Sequence, residues 1–212
     1  MSAIEYFYAA HSAYAYFGSA RLRAIAAAAG RRIEHRPVDL DRVLEGCGST
    51  AFKDRPLAVK EYFFNREMER WIEYRGVRSL GRRPTWHHHS PDLANCVLIA
   101  ALREGHAIDA LSHRMLEAHW ADDADLADRP TLVRLANACG LDGDGLLAGA
   151  DTPAVRAVYD ANTCEAIARG VFGSPTYFVD GDMFYGQDRL ELVERALQRP
   201  FARTWPPRTA VS

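Results

Sequence analysis

Hydrophobic and polar positions follow two different periods along the chain, and the changes of period divide it into segments. Residues 4–10 are rich in Tyr and Phe and begin with a β-branched residue, which is typical of a buried strand. The period is helical between Ser12, which suits an N-cap, and Gly30, which suits the position after a helix end. Residues 32–38 alternate and predict a second strand. This β-α-β unit implies parallel strands joined by a right-handed crossover.

The middle of the chain, residues 56–170, has helical periodicity almost throughout. Uninterrupted patterns predict one helix over residues 60–74 and another over residues 107–121. Elsewhere prolines mark helix starts, with capping residues before two of them, and glycines mark helix ends. These signals predict further helices over residues 90–105, 130–140 and 152–170.

Strand periodicity returns near the C-terminus. Residues 176–179 and 183–185 are predicted strands, and Asp180, Gly181 and Asp182 between them are typical of a hairpin turn. A final helix is predicted over residues 187–197, followed by a loosely held tail over residues 201–212. The order β-α-β, helices, β-β-α indicates an α/β fold. We therefore expect a discontinuous α/β domain (residues 1–50 and 168–200) around a helical insertion domain (residues 51–167).

Composition narrows the class of protein. The chain has 212 residues, of which 48% are hydrophobic and 25% charged, with a formal net charge of −2. These values suit one globular unit and point to neither a nucleic acid nor a membrane as partner. No pair of cysteines has C-x-x-C spacing, which argues against a dithiol redox centre and a zinc ribbon. Scattered cysteines and a start without a signal-peptide pattern predict a cytoplasmic protein.

The run His87, His88 and His89 could suggest a metal site. Adjacent residues in a loop rarely converge on one ion, and no carboxylate or cysteine stands nearby at ligand spacing. We therefore predict no metal.

Ser12 follows a predicted strand and opens a predicted helix, so its hydroxyl could simply cap that helix. The same position could also serve chemistry, because a helix N-terminus stabilises an anion and lowers the pKa of a thiol. A serine there could donate to the thiolate of a bound ligand without being oxidised. The neighbouring His11 could act as an acid or base, or could merely end the strand.

Two segments near the C-terminus also allow two interpretations. Pro175 could mark a strand boundary, or the Ser174-Pro175 bond could be cis and present the Ser174 backbone to an extended ligand. Residues 186–189 could be a simple turn into the last helix. Alternatively, Asp188 could hold an ammonium group, while Gln187 and nearby amides hold a carboxylate.

Three segments carry a resemblance to a known family. Residues 6–16 read YFYAAHSAYAY, similar to a strand followed by the motif S-P-Y-S-Y. Residues 170–181 read GVFGSPTYFVDG, and residues 184–190 read FYGQDRL, similar to G-V-F-G-V-P-T-F-F-V-D-G and F-W-G-Q-D-R-L. These motifs resemble those of the 2-hydroxychromene-2-carboxylate isomerases and the kappa-class glutathione transferases. Both groups belong to the DsbA-like branch of the thioredoxin fold, so the resemblance implies a thioredoxin-like α/β fold with a large all-helical insertion.

The resemblance implies a site for glutathione as cofactor. Ser12 matches the serine whose hydroxyl faces the glutathione sulfur, and Ser174 with Pro175 matches the cis-proline segment that pairs with the cysteinyl part. The remaining expected glutathione contacts are Gln187, Asp188 and Arg189 at the γ-glutamyl end, Lys60 near the glycyl end, and Ser49 in place of an asparagine. The expected substrate pocket comprises His11, Tyr14 and Tyr185.

The sequence departs from the family pattern at four positions. Ala13 stands at the place of the family's proline after the serine, and Ser49 at that of its asparagine. Ser174 replaces the valine before the cis-proline, and Tyr185 replaces the tryptophan of F-W-G. These changes affect the expected substrate pocket more than the expected glutathione site.

The activity that the resemblance implies is isomerisation of an aromatic degradation intermediate similar to 2-hydroxychromene-2-carboxylate. Glutathione thiolate would add to the substrate, a bond would rotate, and elimination would return the thiol. Alternatives are a kappa-like transferase that conjugates hydrophobic electrophiles, or a non-catalytic binding protein. A thiol-disulfide oxidoreductase is disfavoured because residues 12–15 are Ser, Ala, Tyr and Ala. A homodimer is implied by the family alone.

Overall fold

The computed structural model describes residues 3–48 and 54–205. Its sheet contains four strands in the order β2-β1-β3-β4, namely β1 (Ala3–Tyr8), β2 (Arg32–Pro37), β3 (Thr176–Val179) and β4 (Asp182–Tyr185). Strand β1 is parallel to β2 and antiparallel to β3, which is antiparallel to β4. The predicted β-α-β unit and hairpin are both confirmed, and β1 lies at the centre of the sheet, where its C-terminal end can position a site.

The helix between the two parallel strands begins and ends as the sequence predicts. Helix α1 (Ala13–Ala28) has Ser12 as its N-cap, and the Ser12 side chain accepts a hydrogen bond from the Ala15 amide. Gly30 follows the helix with φ +62°, a conformation that glycine adopts without steric cost. A short helix that the sequence analysis did not predict, α2 (Leu40–Gly46), begins after the N-cap Asp39.

The helical insertion contains more elements than predicted. The segment expected as one helix is divided into α3 (Leu57–Glu61), a π-helical turn (Tyr62–Glu67) and α4 (Met68–Arg75). The following helices are α5 (Asp92–Arg103), α6 (Asp109–Ala121), α7 (Arg129–Ala138), α8 (Gly143–Ala150) and α9 (Pro153–Ala168). Helix α8 was not predicted because three glycines in its eight residues obscure its periodicity.

The C-terminal segment contains the last helix and a tail that is hydrogen-bonded to β4 at one residue. After the hairpin, a 3-10 turn (Gln187–Arg189) leads into α10 (Leu190–Gln198). The tail was expected to be loosely held, but the Met183 amide donates to the Trp205 carbonyl at 2.9 Å, and the Trp205 amide donates to the Asp182 carboxylate at 2.7 Å. Trp205 thus contacts the first two residues of β4, and the looseness of the tail as a whole stays a prediction. Residues 206–212 lie outside the described part of the chain.

The core joins the sheet to the insertion. Tyr6 and Tyr8 of β1 belong to one buried cluster with α1 and most of the insertion helices, whereas Phe7 faces a smaller cluster on the opposite side. Asn95 of α5 is fully buried, and its side-chain oxygen accepts a hydrogen bond of 2.9 Å from the Ala10 amide. This contact fixes the chain just before Ser12. Among residues 3–48 and 54–205, no helix combines the length and apolarity needed to cross a membrane.

Candidate active site

The centre of the candidate site is Ser12, in the turn between β1 and α1. Its side-chain oxygen accepts a hydrogen bond from the Ala15 amide and donates one to the Ser174 carbonyl, each at 3.3 Å. Ser12 is 8% exposed, and the first turn of α1 contains no acidic residue. The amides of the first helical turn have no intrahelical partner, so this end of α1 carries partial positive charge. The position therefore favours an anionic group beside the serine hydroxyl.

The second part of the site is the turn before β3. The Ser174-Pro175 peptide bond is cis, as the family resemblance implies. The Ser174 hydroxyl accepts a hydrogen bond of 3.2 Å from the Ala9 amide, and the Gly186 amide donates to the Pro175 carbonyl at 2.9 Å. These contacts bind the turn to the end of β1 on one side and to the turn after β4 on the other. Two segments 162 residues apart thus meet at one hydrogen bond.

The third part is the turn that opens the last helix. Gly186 has φ +95°, and a Cβ added there would lie 2.4 Å from a carboxylate oxygen of Asp188, so glycine is needed at this position. The Asp188 carboxylate pairs with the Arg189 guanidinium. Asp188 also borders a cleft of about 710 Å³ between this turn and the helical segment of the insertion, lined by Arg66, Glu67, Arg70, Trp71, Glu73, Tyr74, Asp188 and Glu191.

Gln187 is less accessible than the sequence analysis expects of a ligand-binding residue. It is 1% exposed, and its side-chain oxygen accepts from Nε of Arg75 at 2.9 Å. Arg75 also donates to the Gln187 carbonyl at 3.0 Å and to the Glu191 carboxylate at 2.9 Å. The Gln187 side-chain nitrogen is buried without a hydrogen-bond partner among the described residues. Gln187 thus ties this turn to α4, and its contact with a ligand stays a prediction.

Aromatic side chains form the wall of the site. Tyr185 is 44% exposed and Phe172 is 41% exposed, and their ring centroids are 4.5 Å apart. Burial raises the pKa of Tyr14, with smaller contributions from Glu67 and Tyr185. Tyr14 and Tyr185, both predicted to line a substrate pocket, therefore lie within electrostatic range of each other. The Tyr14 hydroxyl is buried without a partner among the described residues.

His11 turns toward the insertion. Its ring centroid lies 5.0 Å from that of His87, and its carbonyl accepts a hydrogen bond of 2.9 Å from the Trp120 indole. The other members of the histidine run have separate partners, since His88 contacts the Thr85 carbonyl and His89 pairs with Asp125. Within residues 3–48 and 54–205, no group of three His, Cys, Asp or Glu side chains is arranged to hold a metal ion.

Two predicted glutathione contacts, Lys60 and Ser49, are not among the three parts of the candidate site described above. Lys60 lies on α3 and is half-buried, and its predicted contact is not tested by the structure. Ser49 lies outside the described residues. The sequence analysis did not assign Arg75, Phe172 or His87 to the candidate site. Phe172 lies within the GVFGSP run that was noted, whereas no local pattern links Arg75 to Gln187, because their contact spans 112 positions.

Comparison with known proteins identifies the family. The family described as "DSBA-like thioredoxin domain" matches residues 3–198. The chain belongs to this DsbA-like thioredoxin family. A curated relative, "2-hydroxychromene-2-carboxylate isomerase" of Sphingobium xenophagum, is 29% identical over 199 residues, which cover 92% of this chain and 97% of that protein.

Solved structures show the same fold. A "2-hydroxychromene-2-carboxylate isomerase (HCCA isomerase)" superposes with a TM-score of 0.78 at 23% identity, and the match covers 93% of this chain and 95% of that one. "Cytosolic disulfide reductase DsbM from Pseudomonas aeruginosa with GSH" superposes with a TM-score of 0.54 at 17% identity, with 94% of both chains covered. The DsbA-like thioredoxin fold with a helical insertion is thereby confirmed, and the curated relative supports an isomerase role.

Proposed function

We propose that this protein is a glutathione-dependent isomerase of an aromatic ring-cleavage product similar to 2-hydroxychromene-2-carboxylate. The observation that carries the proposal is the Ser12 hydroxyl at the N-terminus of α1, bonded to the residue before the cis-proline. A relative named for this activity matches 92% of the chain. The organisation of the site agrees with the motifs that suggested the family.

The residues at the site suit a small peptide that carries a thiol, a positively charged group and a negatively charged group. The backbone of Ser174 lies beside Ser12 and could pair with the central residue of such a peptide. The Asp188 carboxylate borders an open cleft and could bind an ammonium group. When bound, glutathione supplies a thiolate nucleophile that adds reversibly to a conjugated system. The same fold in DsbM is described with GSH, which supports this choice of thiol.

Ser12 would favour the anionic form of a nearby sulfur. The N-terminal end of α1 stabilises negative charge, and a hydroxyl that donates to the sulfur adds a charge-assisted hydrogen bond. The Ser12 hydroxyl reaches Ser174 at 3.3 Å, so a sulfur acceptor could replace that carbonyl after rotation of the side chain. A hydroxyl cannot form a disulfide. The thiol would therefore stay free to add to substrate and be released.

The exposed rings of Phe172 and Tyr185 would bind the substrate. They lie beside the cis-proline turn, on the side open to solvent, and a planar aromatic ring could stack on them. Together with Tyr14 they provide an apolar wall next to the hydroxyl of Ser12. An aromatic substrate with one apolar face could pack against this wall.

Calorimetric titration with reduced glutathione tests the cofactor. Binding with a dissociation constant between about 1 µM and 1 mM, or about −8 to −4 kcal/mol, is expected. Asp188→Asn should weaken binding about tenfold because it removes the charge that faces the ammonium group. Asp144→Asn, at an exposed position of α8, serves as the control and should leave binding unchanged. An absence of binding by the unmodified protein would refute glutathione dependence.

Two further parts of the proposal concern the state of the protein in the cell. We expect a cytoplasmic homodimer, in keeping with the scattered cysteines and the family resemblance. Light scattering after size-exclusion chromatography tests the dimer, and a monomer at micromolar concentration would contradict it.

A further inference from the structure

The turn that leads into Ser12 has two backbone groups that its own hydrogen bond does not use. The Ser12 amide donates to the Ala9 carbonyl at 3.0 Å and closes the turn over residues 9–12. The Ala10 amide and the His11 carbonyl take no part in this bond, and Ala10 is fully buried. Buried backbone groups are almost always paired, so the turn depends on partners from elsewhere in the fold.

Both partners belong to the helical insertion. The side-chain oxygen of Asn95 on α5 accepts from the Ala10 amide at 2.9 Å, and Nε1 of Trp120 on α6 donates to the His11 carbonyl at 2.9 Å. The Asn95 and Trp120 side chains are fully buried, where a hydrogen bond is stronger than in water. The insertion therefore determines where the turn before Ser12 lies.

The orientation of the Asn95 amide is fixed by the backbone on either side of it. Its oxygen faces the Ala10 amide, which only donates, and its nitrogen lies 3.4 Å from the Val38 carbonyl, which only accepts. Val38 directly follows β2, as Ala10 lies just after β1. One side chain thus bridges the carboxyl ends of the two parallel strands.

Two further residues hold this amide in place. The Asn95 nitrogen lies 3.1 Å from the Tyr159 hydroxyl, which donates to the Asp92 carboxylate at 2.9 Å. Burial and the charge of Asp92 raise the pKa of Tyr159, so the hydroxyl keeps its hydrogen and its oxygen accepts from Asn95. Three bonds therefore run in one direction, from the Ala10 amide through Asn95 and Tyr159 to Asp92. Hydrogen bonds in such a chain polarise and strengthen one another.

We propose that Asn95 is a positioning residue for the reaction, which holds the Ala10 amide so that the Ser12 hydroxyl stays aimed at the sulfur of the bound thiol. A hydrogen bond weakens steeply as its angle departs from linear, so a small shift of the turn weakens the donor. Tyr159 and Asp92 act one step further away by orienting Asn95. The inference deepens the proposed function, on which it rests for the role of Ser12.

The thiol of the Ser12→Cys variant measures the hold on the turn without any bound ligand. Its alkylation by iodoacetamide at pH 6 reports the fraction of thiolate that the N-terminus of α1 stabilises. Adding Asn95→Ala should slow this alkylation about fivefold, because the released turn no longer keeps the sulfur beside the first amides of α1. Peptide mass spectrometry separates this position from the four natural cysteines.

Asn162→Ala in the same background is the matched control. Asn162 is also a buried asparagine that bonds to the backbone at the end of a strand, but it donates to the Pro37 carbonyl of β2, at 3.2 Å. It should lower the free energy of unfolding by a similar amount and leave the alkylation rate unchanged. An unchanged rate in Asn95→Ala, or an equal fall in Asn162→Ala, would overturn the proposal.

A milder variant decides the question if Asn95→Ala does not fold. Tyr159→Phe keeps the aromatic ring and removes only the hydroxyl that orients the Asn95 amide. It should slow alkylation of the Ser12→Cys thiol about threefold, in the same direction as Asn95→Ala. A rate equal to that of the Ser12→Cys parent would then overturn the proposal.

The isomerisation of 2-hydroxychromene-2-carboxylate gives a second readout. Asn95→Ala should lower kcat about tenfold and leave the KM for glutathione within about twofold, because Ser12 acts on the thiolate and not on the rest of the peptide. Asn162→Ala should change neither constant, and an equal fall of kcat in both variants would show a merely structural role for Asn95. A protein that neither binds glutathione nor isomerises would refute the proposed function, whereas the alkylation rates would still decide the role of Asn95.

Discussion

The Ser12 hydroxyl donates a hydrogen bond of 3.3 Å to the carbonyl of Ser174, the residue before the cis-proline. This contact joins the end of β1 to the start of β3, which are neighbouring strands of the sheet. The positive end of α1 and the Ser174 carbonyl of the cis-proline turn therefore lie side by side. The geometry suits a ligand that presents a sulfur to Ser12 and a peptide group to Ser174.

Replacement of this serine should separate catalysis from folding. Ser12→Ala removes an N-cap hydrogen bond and should lower the free energy of unfolding by about 1 kcal/mol. Isomerisation should be largely abolished because the thiolate loses its hydrogen-bond donor, whereas calorimetry should still detect glutathione binding. Ser90→Ala is the matched control, since the Ser90 hydroxyl accepts from the Asp92 amide at the start of α5. Full activity in Ser12→Ala would show that the serine has no catalytic role.

A thiol at the same position should convert the site to redox chemistry. In Ser12→Cys the new thiol would lie at a helix N-terminus, where its pKa is lowered and its thiolate reacts with disulfides. Treatment with glutathione disulfide should attach one glutathione at position 12 and release one reduced glutathione. Peptide mass spectrometry should find this modification before that of the exposed Cys47 and Cys164. Slower modification at position 12 than at those two cysteines would contradict the inference that the N-terminus of α1 lowers the pKa of a thiol.

The contact between Arg75 and Gln187 should support both stability and binding. Arg75→Leu leaves the buried Gln187 oxygen without its donor and should lower the free energy of unfolding by about 1.5–3 kcal/mol, as measured by urea unfolding. Glutathione affinity should fall as well, because the turn that carries Asp188 loses its tie to α4. Arg129→Leu, an exposed arginine that pairs with Asp151 away from this cleft, should change neither quantity by a comparable amount. Equal effects of the two substitutions would show that the hydrogen bonds of Arg75 to Gln187 contribute nothing specific to stability or binding.

Acid should weaken the fold partly through Glu5. The hydrogen bond from Arg169 lowers the pKa of Glu5 below its usual 4.5. A lowered pKa means that the folded state prefers the carboxylate, so this stabilisation is complete above about pH 4.5 and is lost as the pH falls through the lowered value. Glu5→Gln should therefore cost about 1–2 kcal/mol at neutral pH and much less in acid.

Urea unfolding at neutral and acidic pH measures this difference. Glu61→Gln, on exposed α3, is the control and should show little difference at either pH. A penalty for Glu5→Gln that stays constant as the pH falls would contradict the lowered pKa.

Elements with strong local signals could be predicted from the sequence. Ser12 and Gly30 bracket α1 because a hydroxyl cap and a positive φ are local requirements. The hairpin could also be predicted, because Asp and Gly suit its turn, where Asp180 and Gly181 both adopt positive φ. By contrast, the π-helical turn at Tyr62–Glu67 has the same hydrophobic pattern as an α-helix, so periodicity could not separate them.

Long-range contacts account for the features that sequence analysis could not reach. The tail is held by Trp205 against Met183, a backbone pairing with no pattern in the tail itself. The run at His87 was considered for metal binding, whereas its actual partners, His11 and His119, are 76 and 32 positions away. The family motifs indicated the candidate site, but only the fold shows which side chains meet there.

We propose that this protein catalyses isomerisation with glutathione. The most direct test follows 2-hydroxychromene-2-carboxylate by ultraviolet absorbance with the purified protein, in the presence and absence of reduced glutathione. We predict rapid conversion to the ring-opened trans isomer only when glutathione is present, with the total thiol unchanged at the end of the reaction. Conversion that is independent of glutathione, no conversion, or accumulation of a glutathione conjugate would contradict the claim.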